Sequence, residues 1–128
     1  AASDVYKRQA PIEDAINQHP MVAESAIVGF SHPIKGNALY GFISLKLNLT
    51  KLELESIKTE INIQIGKQIG PIAKLDKIQI TAGLPKTRSG KIMRRILRKI
   101  ANNDSSNLGD ISTLLNPEVV ESIKNNSI

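Results

Sequence analysis

A turn-forming segment leads directly into a basic amphipathic helix within residues 84–101, and this junction constrains the chain more than any other stretch. Pro85, Ser89 and Gly90 disfavour regular structure, and Gly90 tolerates backbone angles that other residues avoid. Lys91 follows at once, which predicts that it lies where the loop meets the helix. A lysine on a glycine-containing loop, ahead of a basic helix, indicates contact with an anion.

The helical half of this stretch has an apolar side and a basic side. Its apolar residues recur at steps of three and four, at Ile92, Met93, Ile96, Leu97 and Ile100. Its basic residues fall on the other side, at Arg94, Arg95, Arg98 and Lys99. The net charge of +5 arises here, because the chain outside residues 86–99 is slightly acidic. One local patch argues against a general coat for nucleic acid.

The glycine and lysine of this stretch do not form the phosphate-binding loop of nucleotide-binding proteins. That loop requires Gly-x-x-x-x-Gly-Lys followed by Ser or Thr. Here the spacing from Gly83 to Gly90 is too long, and Ile92 follows Lys91. A basic run alone is most often a solvated helix face. The residues therefore leave open a second class of function, a stand-alone basic module that binds nucleic acid or an acidic partner.

Composition restricts the remaining possibilities. A chain of 128 residues with 41% hydrophobic content has the size of one ordinary domain. The absence of cysteine excludes disulfides and thiolate sites, and His19 and His32 do not have the spacing of metal ligands. No apolar run is long enough to span a bilayer, and no signal peptide opens the chain. We therefore expect a cytoplasmic protein with no metal site and no membrane partner.

The first half of the chain predicts one helix and two strands. Residues 11–16 form a short helix with Pro11 in its first turn and with Ile12, Ala15 and Ile16 facing inward. Residues 22–30 and 38–47 form strands that pair antiparallel. The second strand alternates, and the residues on its apolar face are Leu39, Gly41, Ile43, Leu45 and Leu47. Residues 1–9 show no apolar period and no cap, and we interpret them as an anomalous or foreign segment.

The second half predicts three helices and a strand. Thr50 and Glu53 form a capping box ahead of a helix. The inward stripe of that helix is Leu54, Ile57, Ile61, Ile65 and Ile69. Residues 77–81 form a third strand, and Asn116 caps a final helix that begins with Pro117. The element order predicts an α+β fold, a small three-stranded sheet covered by helices.

Residues 85–95, Pro-Lys-Thr-Arg-Ser-Gly-Lys-Ile-Met-Arg-Arg, resemble the C-terminal signature of the acyl-adenylate-forming superfamily. Residues 30–46 and the tail at residues 108–120 are similar to the acetate-activating branch of that superfamily. The resemblance implies that residues 10–101 are the C-terminal lid domain of such an enzyme. It implies that residues 102–128 are an extension of the same domain and contain its final helix.

In this superfamily a much larger N-terminal adenylation domain holds ATP, Mg²⁺ and the acid. We expect that domain to be the main partner of this chain, with acetate, ATP and coenzyme A as substrates and with no nucleic acid bound. The resemblance implies a ligase that forms acetyl-adenylate and then transfers the acetyl group to coenzyme A. The isolated chain is expected to catalyse neither step.

The resemblance makes Lys91 the catalytic residue of adenylation, where a carboxylate must approach a polyphosphate. A positioned ammonium offsets that repulsion and stabilises charge that develops on the α-phosphate. The residues that support its loop are Lys86, Arg88, Ser89 and Gly90. Acetylation of Lys91 is expected to abolish the effect, because the amide keeps the length and removes the charge.

One departure from the family concerns coenzyme A. The resembled enzymes commonly carry arginine at the position of Gly66, where it contributes to binding the phosphates of coenzyme A. Gly66 has no side chain to make that contact, and Lys67 is the nearby substitute. Arg94 is a second candidate for a coenzyme A phosphate.

Overall fold

Helices cover both faces of a small mixed sheet in the described part of the chain. The computed structural model describes residues 2–34, 36–70, 75–104, 108–109 and 111–127, without the side chains of residues 2–9, 32 and 37. Its elements are α1 (Ala2–Asn17), β1 (Val22–His32), β2 (Gly36–Leu45), α2 (Lys51–Gln68), β3 (Lys77–Thr81), α3 (Arg94–Ala101) and α4 (Pro117–Asn125). The predicted fold class and element order are confirmed.

The central strand of the sheet is β2. It pairs antiparallel with β1, as predicted, and Val28 lies opposite Tyr40. It pairs parallel with β3, and Ile43 lies opposite Ile80. The parallel pairing was not part of the prediction. It follows from the crossover through α2, because a helix between two strands returns the chain to the same end of the sheet.

Both faces of β2 are buried, whereas its alternation predicted one apolar face. Ile43 packs with α1 and α2 in one core cluster. Tyr40 and Phe42 point the other way and pack with α3 and α4 in a second cluster. A central strand with helices on both sides has no solvent face. Leu47, placed in the strand by the prediction, lies beyond its end and is exposed.

The predicted capping box of α2 is confirmed. The Glu53 amide donates to Thr50 Oγ1 at 3.3 Å, and the Thr50 amide donates to Glu53 Oε1 at 3.1 Å. The bond from the Thr50 backbone, together with one from its hydroxyl, lowers the pKa of Glu53. Ile57, Ile61 and Ile65 are buried as predicted. Ile69 is exposed, because the helix ends at Gln68.

Helix α1 begins earlier than predicted. Ile12, Ala15 and Ile16 are buried, as expected. Pro11 lies inside the helix rather than in its first turn. Proline lacks an amide hydrogen, so the helix continues through Pro11 at the cost of one backbone bond. The interpretation of residues 1–9 as foreign stays a prediction, and residue 1 lies outside the described residues.

Gly66 offers a direct test of the local physics of α2. A Cβ added at Gly66 meets no atom within 4 Å, and the residue lies inside a helix. Gly66→Ala should therefore raise the free energy of unfolding by about 1 kcal/mol, because alanine loses less backbone entropy on folding. Urea unfolding of the chain measures this.

Gly36→Ala is the matched control. A Cβ there is also free of contacts, but the φ of Gly36 is +79°, which alanine adopts only with strain. The free energy of unfolding of this variant should therefore fall by about 1 kcal/mol. Equal shifts for the two variants would contradict the conformational explanation.

Candidate functional site

Residues 86–92 form a short β-hairpin, which we call the lysine hairpin. Lys86 and Ile92 form an antiparallel bridge at its root. The Thr87 amide donates to the Lys91 carbonyl at 2.8 Å, and the Gly90 amide donates to the Thr87 carbonyl at 2.9 Å. Gly90 has a φ of +91°, which fits the left-handed position of a three-residue hairpin loop. The glycine is needed for this turn.

Two side-chain hydroxyls hold the hairpin closed. Thr87 Oγ1 accepts from the Lys91 amide at 3.1 Å and lies 2.9 Å from Ser89 Oγ. The backbone of Lys91 is thus bonded through both its N–H and its carbonyl. Within the described part of the chain, the exposed side chains of Lys91 and Arg88 have no hydrogen-bond or ion-pair partner. The hairpin presents two cations to solvent on an ordered backbone.

Lys86 belongs to the root of the hairpin rather than to its tip. Its Nζ lies 2.6 Å from Glu24 Oε2, and both side chains are about three-quarters buried. The pair joins the hairpin to β1. Met93 strengthens the same root, because its amide donates to the Pro85 carbonyl at 2.8 Å. Helix α3 therefore starts at Arg94, whereas its apolar period predicted a start near Ile92.

Hydrogen bonds from Leu115 and Asn116 also hold the root of the lysine hairpin. The Leu115 amide donates to the Lys86 carbonyl at 2.9 Å. Asn116 Oδ1 accepts from the Lys86 amide at 3.0 Å, and Asn116 Nδ2 donates to the Leu84 carbonyl at 2.8 Å. Asn116 lies at the N-cap position of α4, ahead of Pro117, as predicted, but its side chain makes no capping bond to the helix. Its partners lie some thirty residues earlier in the chain, and no local pattern indicates them.

Arg94 binds a carboxylate of this chain. Its Nε lies 3.1 Å from Glu13 Oε1 and its Nη2 lies 2.7 Å from Glu13 Oε2. Glu13 is 6% exposed and also accepts from the Ile27 amide at 2.8 Å. The bidentate pair links the start of α3 to α1 and β1. Its position between helix and sheet was not predicted, because residue 13 looks like an ordinary helix-surface glutamate in the sequence.

The rest of the basic side of α3 faces outward. Arg95 and Arg98 are exposed, and Arg95 makes a long contact of 3.4 Å to the Leu108 carbonyl. Ile96, Leu97 and Ile100 fill the core on the opposite side, as predicted. Exposed cations thus lie on α3, at Arg95 and Arg98, and on the lysine hairpin, at Arg88 and Lys91.

Gly66 and Lys67 lie on a different helix from these cations of α3. They occupy the last turns of α2, which packs on the face of the sheet opposite α3. Lys67 is exposed. The candidate residues for adenylation and the tentative coenzyme A residue on α2 are thus in different layers of the domain.

Among the described residues, no group of three His, Cys, Asp or Glu side chains is close enough to hold a metal ion. No helix there is long and apolar enough to cross a membrane.

The sequence profile of the AMP-binding enzyme C-terminal domain matches residues 11–91. The chain is 56% identical over 117 residues to an acetyl-coenzyme A synthetase of Gamma-proteobacterium EBAC31A08, covering 91% of this chain and 18% of that protein. It is 54% identical over 114 residues to an acetyl-coenzyme A synthetase of Bartonella quintana, covering 89% and 17%. The chain therefore spans less than a fifth of the length of these curated relatives.

A solved structure supports the same grouping. The acyl-CoA synthetase of Brucella canis superposes with a TM-score of 0.62 at 34% sequence identity. The superposition covers 70% of this chain and 16% of that chain.

The pair between Arg94 and Glu13 should carry measurable stability. Arg94→Met should lower the free energy of unfolding by about 3 kcal/mol, because it leaves a buried carboxylate without its counter-charge. Urea unfolding of the chain measures the loss. The double variant Glu13→Gln with Arg94→Met should recover part of it, since the amide oxygen still accepts from Ile27 and the uncompensated charge is gone.

Arg98→Met is the control for this pair. Arg98 lies on the same helix and is exposed, so its replacement should change stability by less than about 0.5 kcal/mol. Equal losses for the two single variants would show that the pair contributes nothing specific.

Proposed function

Because the chain belongs to the AMP-binding enzyme C-terminal domain family, we propose that it is the C-terminal lid domain of an AMP-forming acetyl-coenzyme A synthetase. The enzyme would act in the cytoplasm on acetate, ATP and coenzyme A. An N-terminal adenylation domain outside this chain would bind ATP, Mg²⁺ and acetate. The observation that supports the proposal best is the lysine hairpin, which holds the backbone of Lys91 and leaves its ammonium free.

Lys91 would act in the first step. A carboxylate oxygen of acetate attacks the α-phosphorus of ATP, and the bond to the pyrophosphate leaving group breaks. Two anions approach each other, and negative charge grows on the α-phosphate oxygens. An ammonium beside these oxygens lowers the barrier, and losing such a donor costs about a hundredfold or more in rate. Gly90, Ser89 and Arg88 would set the approach of the loop to the nucleotide.

The second step would use the other layer of the domain. The thiol of coenzyme A attacks the acetyl carbonyl of acetyl-adenylate, and AMP leaves. Lys67 lies on α2, on the far side of the sheet from α3. We propose that the lid rotates between the steps, withdrawing Lys91 and presenting α2. A contact of Arg94 with a coenzyme A phosphate has less support than one of Lys67, because its guanidinium already binds Glu13.

No metal step is assigned to this chain. Its candidate site residues are cationic, and its described carboxylates do not cluster in the way that Mg²⁺ requires. The residues described here therefore do not fit a magnesium site, and we leave the ion to the adenylation domain.

The alternative is a stand-alone basic module for nucleic acid or an acidic partner. Single-strand binding surfaces use exposed aromatic side chains as stacking platforms. Phe30, Tyr40 and Phe42 are buried here, and their rings pack against one another. Tyr6 is the remaining aromatic residue, and it is one of the residues 2–9 whose side chains the structure does not describe. We therefore favour the synthetase.

A hybrid synthetase tests the role of Lys91. This chain would replace the matching segment of the synthetase from Gamma-proteobacterium EBAC31A08. Lys91→Ala should reduce acetate-dependent exchange of pyrophosphate into ATP by at least about a hundredfold, because the first step loses its ammonium. Conversion of supplied acetyl-adenylate with coenzyme A should stay within about twofold of the unmodified hybrid. Acetylated Lys91 should behave like the alanine variant.

Lys58→Ala is the control, since Lys58 lies on α2 and, among the described residues, forms an ion pair with Glu55 three residues earlier and with no other acid. It should leave both half-reactions unchanged. Equal losses of both half-reactions in a folded Lys91→Ala hybrid would reject the restriction of Lys91 to adenylation. Exchange activity in the isolated chain would reject its assignment as a lid domain.

The same hybrid tests the coenzyme A contact. Gly66→Arg restores the family arginine at a position with open space. It should lower the KM for coenzyme A and leave those for ATP and acetate unchanged, because a guanidinium binds phosphate strongly. Gly66→Ala separates this effect from helix stabilisation. An unchanged KM for coenzyme A in Gly66→Arg would indicate that Lys67 or another base already serves.

A further inference from the structure

Asn116 connects the root of the lysine hairpin to the C-terminal extension. Its amide group bonds the backbone of Leu84 and of Lys86, the two residues on either side of Pro85. The Leu115 amide adds a third bond, to the Lys86 carbonyl. Both backbone groups of Lys86 are therefore held from the C-terminal side.

The element that carries Asn116 is itself firmly fixed. Val120 and Ile123 of α4 are at most 1% exposed. The Ile123 carbonyl accepts from Gln79 Nε2 at 3.1 Å, and Gln79 is bonded in turn by the Tyr40 hydroxyl. Helix α4 is thus tied to the central strand through a buried polar contact. Helix α4 therefore gives Asn116 a fixed position from which it bonds the root of the lysine hairpin.

A continuous set of backbone contacts leads from Asn116 to Lys91. Lys86, which Asn116 bonds, bridges to Ile92 across the hairpin. Thr87 follows Lys86 and bonds both the amide and the carbonyl of Lys91. Loss of the Asn116 contacts would leave the Lys86 amide and the Leu84 carbonyl without these partners. The hairpin would then be held at its root by fewer bonds.

We propose that Asn116 is a positioning residue that sets the orientation of the lysine hairpin, and so of Lys91, during adenylation. This inference rests on the proposed function. It gives the C-terminal extension a part in the first half-reaction, although the family profile ends at residue 91. Asn116 does not touch the reacting atoms; it acts through the backbone of residues 84–92.

Amide hydrogen exchange of the 128-residue chain tests the coupling without reference to activity. Asn116→Ala should raise the exchange rates of the Thr87 and Lys91 amides by at least about tenfold, because these bonds open more often when the root is loosened. The Ile43 amide, in the central strand, should exchange as before. Unchanged rates at Thr87 and Lys91 would overturn the proposal.

Asn126→Ala is the matched control. Asn126 follows the other end of α4, and its Nδ2 donates to the Ser122 carbonyl at 2.8 Å. Its loss should leave the hairpin amides unchanged. If Asn116→Ala does not fold, Asn116→Asp takes its place: it keeps an acceptor for the Lys86 amide and loses the donor to Leu84, so a smaller increase in exchange is expected. No increase in Asn116→Asp would then overturn the proposal.

The hybrid synthetase measures the consequence for catalysis. Asn116→Ala should lower kcat for pyrophosphate exchange by at least about tenfold, since small misplacements of a catalytic group are costly. The KM for ATP and thioester formation from supplied acetyl-adenylate should stay within about twofold, which a general loss of structure would not allow. Asn116→Asp should recover part of kcat. Parallel loss of both half-reactions would reject positioning.

Hydrogen exchange and the hybrid synthetase together distinguish failure of the proposed function from failure of the positioning role of Asn116. If the unmodified hybrid performs neither half-reaction, the proposed function fails, and hydrogen exchange alone decides whether Asn116 orders the hairpin. If the hybrid is active and Asn116→Ala matches it in kcat for exchange, the proposed function stands and the positioning role is wrong.

Discussion

The burial of β2 on both faces is the constraint on which the rest of the structure depends. Tyr40 and Phe42 face α3 and α4, while Ile43 faces α1 and α2. Every helix is therefore assigned to one of two layers, and a side chain on β2 that changed face would disrupt both cores. This division places the lysine hairpin and the end of α2 in different layers. The rotation that we propose between the two half-reactions would need such a separation.

The lysine hairpin combines an ordered backbone with a free side chain. The bonds from Thr87 hold both backbone groups of Lys91, and Gly90 supplies the left-handed turn. Within the described part of the chain the ammonium of Lys91 has no partner, so it keeps its conformational freedom. Electrostatic catalysis is most effective when the donor does not have to reorganise during the reaction. In the role that we propose for Lys91, the ordered backbone would reduce that cost, and an unpaired side chain would avoid competition from a protein carboxylate.

Buried polar contacts join the layers at defined points. Glu13 links α1 to β1 and to Arg94, and Gln79 links β2 to α4. Among the described residues, no buried side-chain nitrogen or oxygen lacks a hydrogen-bond partner. Burying a polar or charged side chain costs free energy, and hydrogen bonds offset this cost only when the partners are correctly placed. They therefore favour one arrangement of helices over alternatives that bury the same apolar area.

The sequence by itself determined the element order, the antiparallel pair, the capping box at Thr50 and the apolar side of α3, because these depend on neighbours within a few residues. The turn at Gly90 was predictable for the same reason. Only the tertiary structure decided that β3 pairs parallel with β2, that Arg94 binds Glu13, and that the side chain of Asn116, at the N-cap of α4, bonds the hairpin and not the helix. These contacts join residues 30 to 81 positions apart. Local propensity depends on near neighbours in the sequence, so it does not indicate which distant group will bond a side chain.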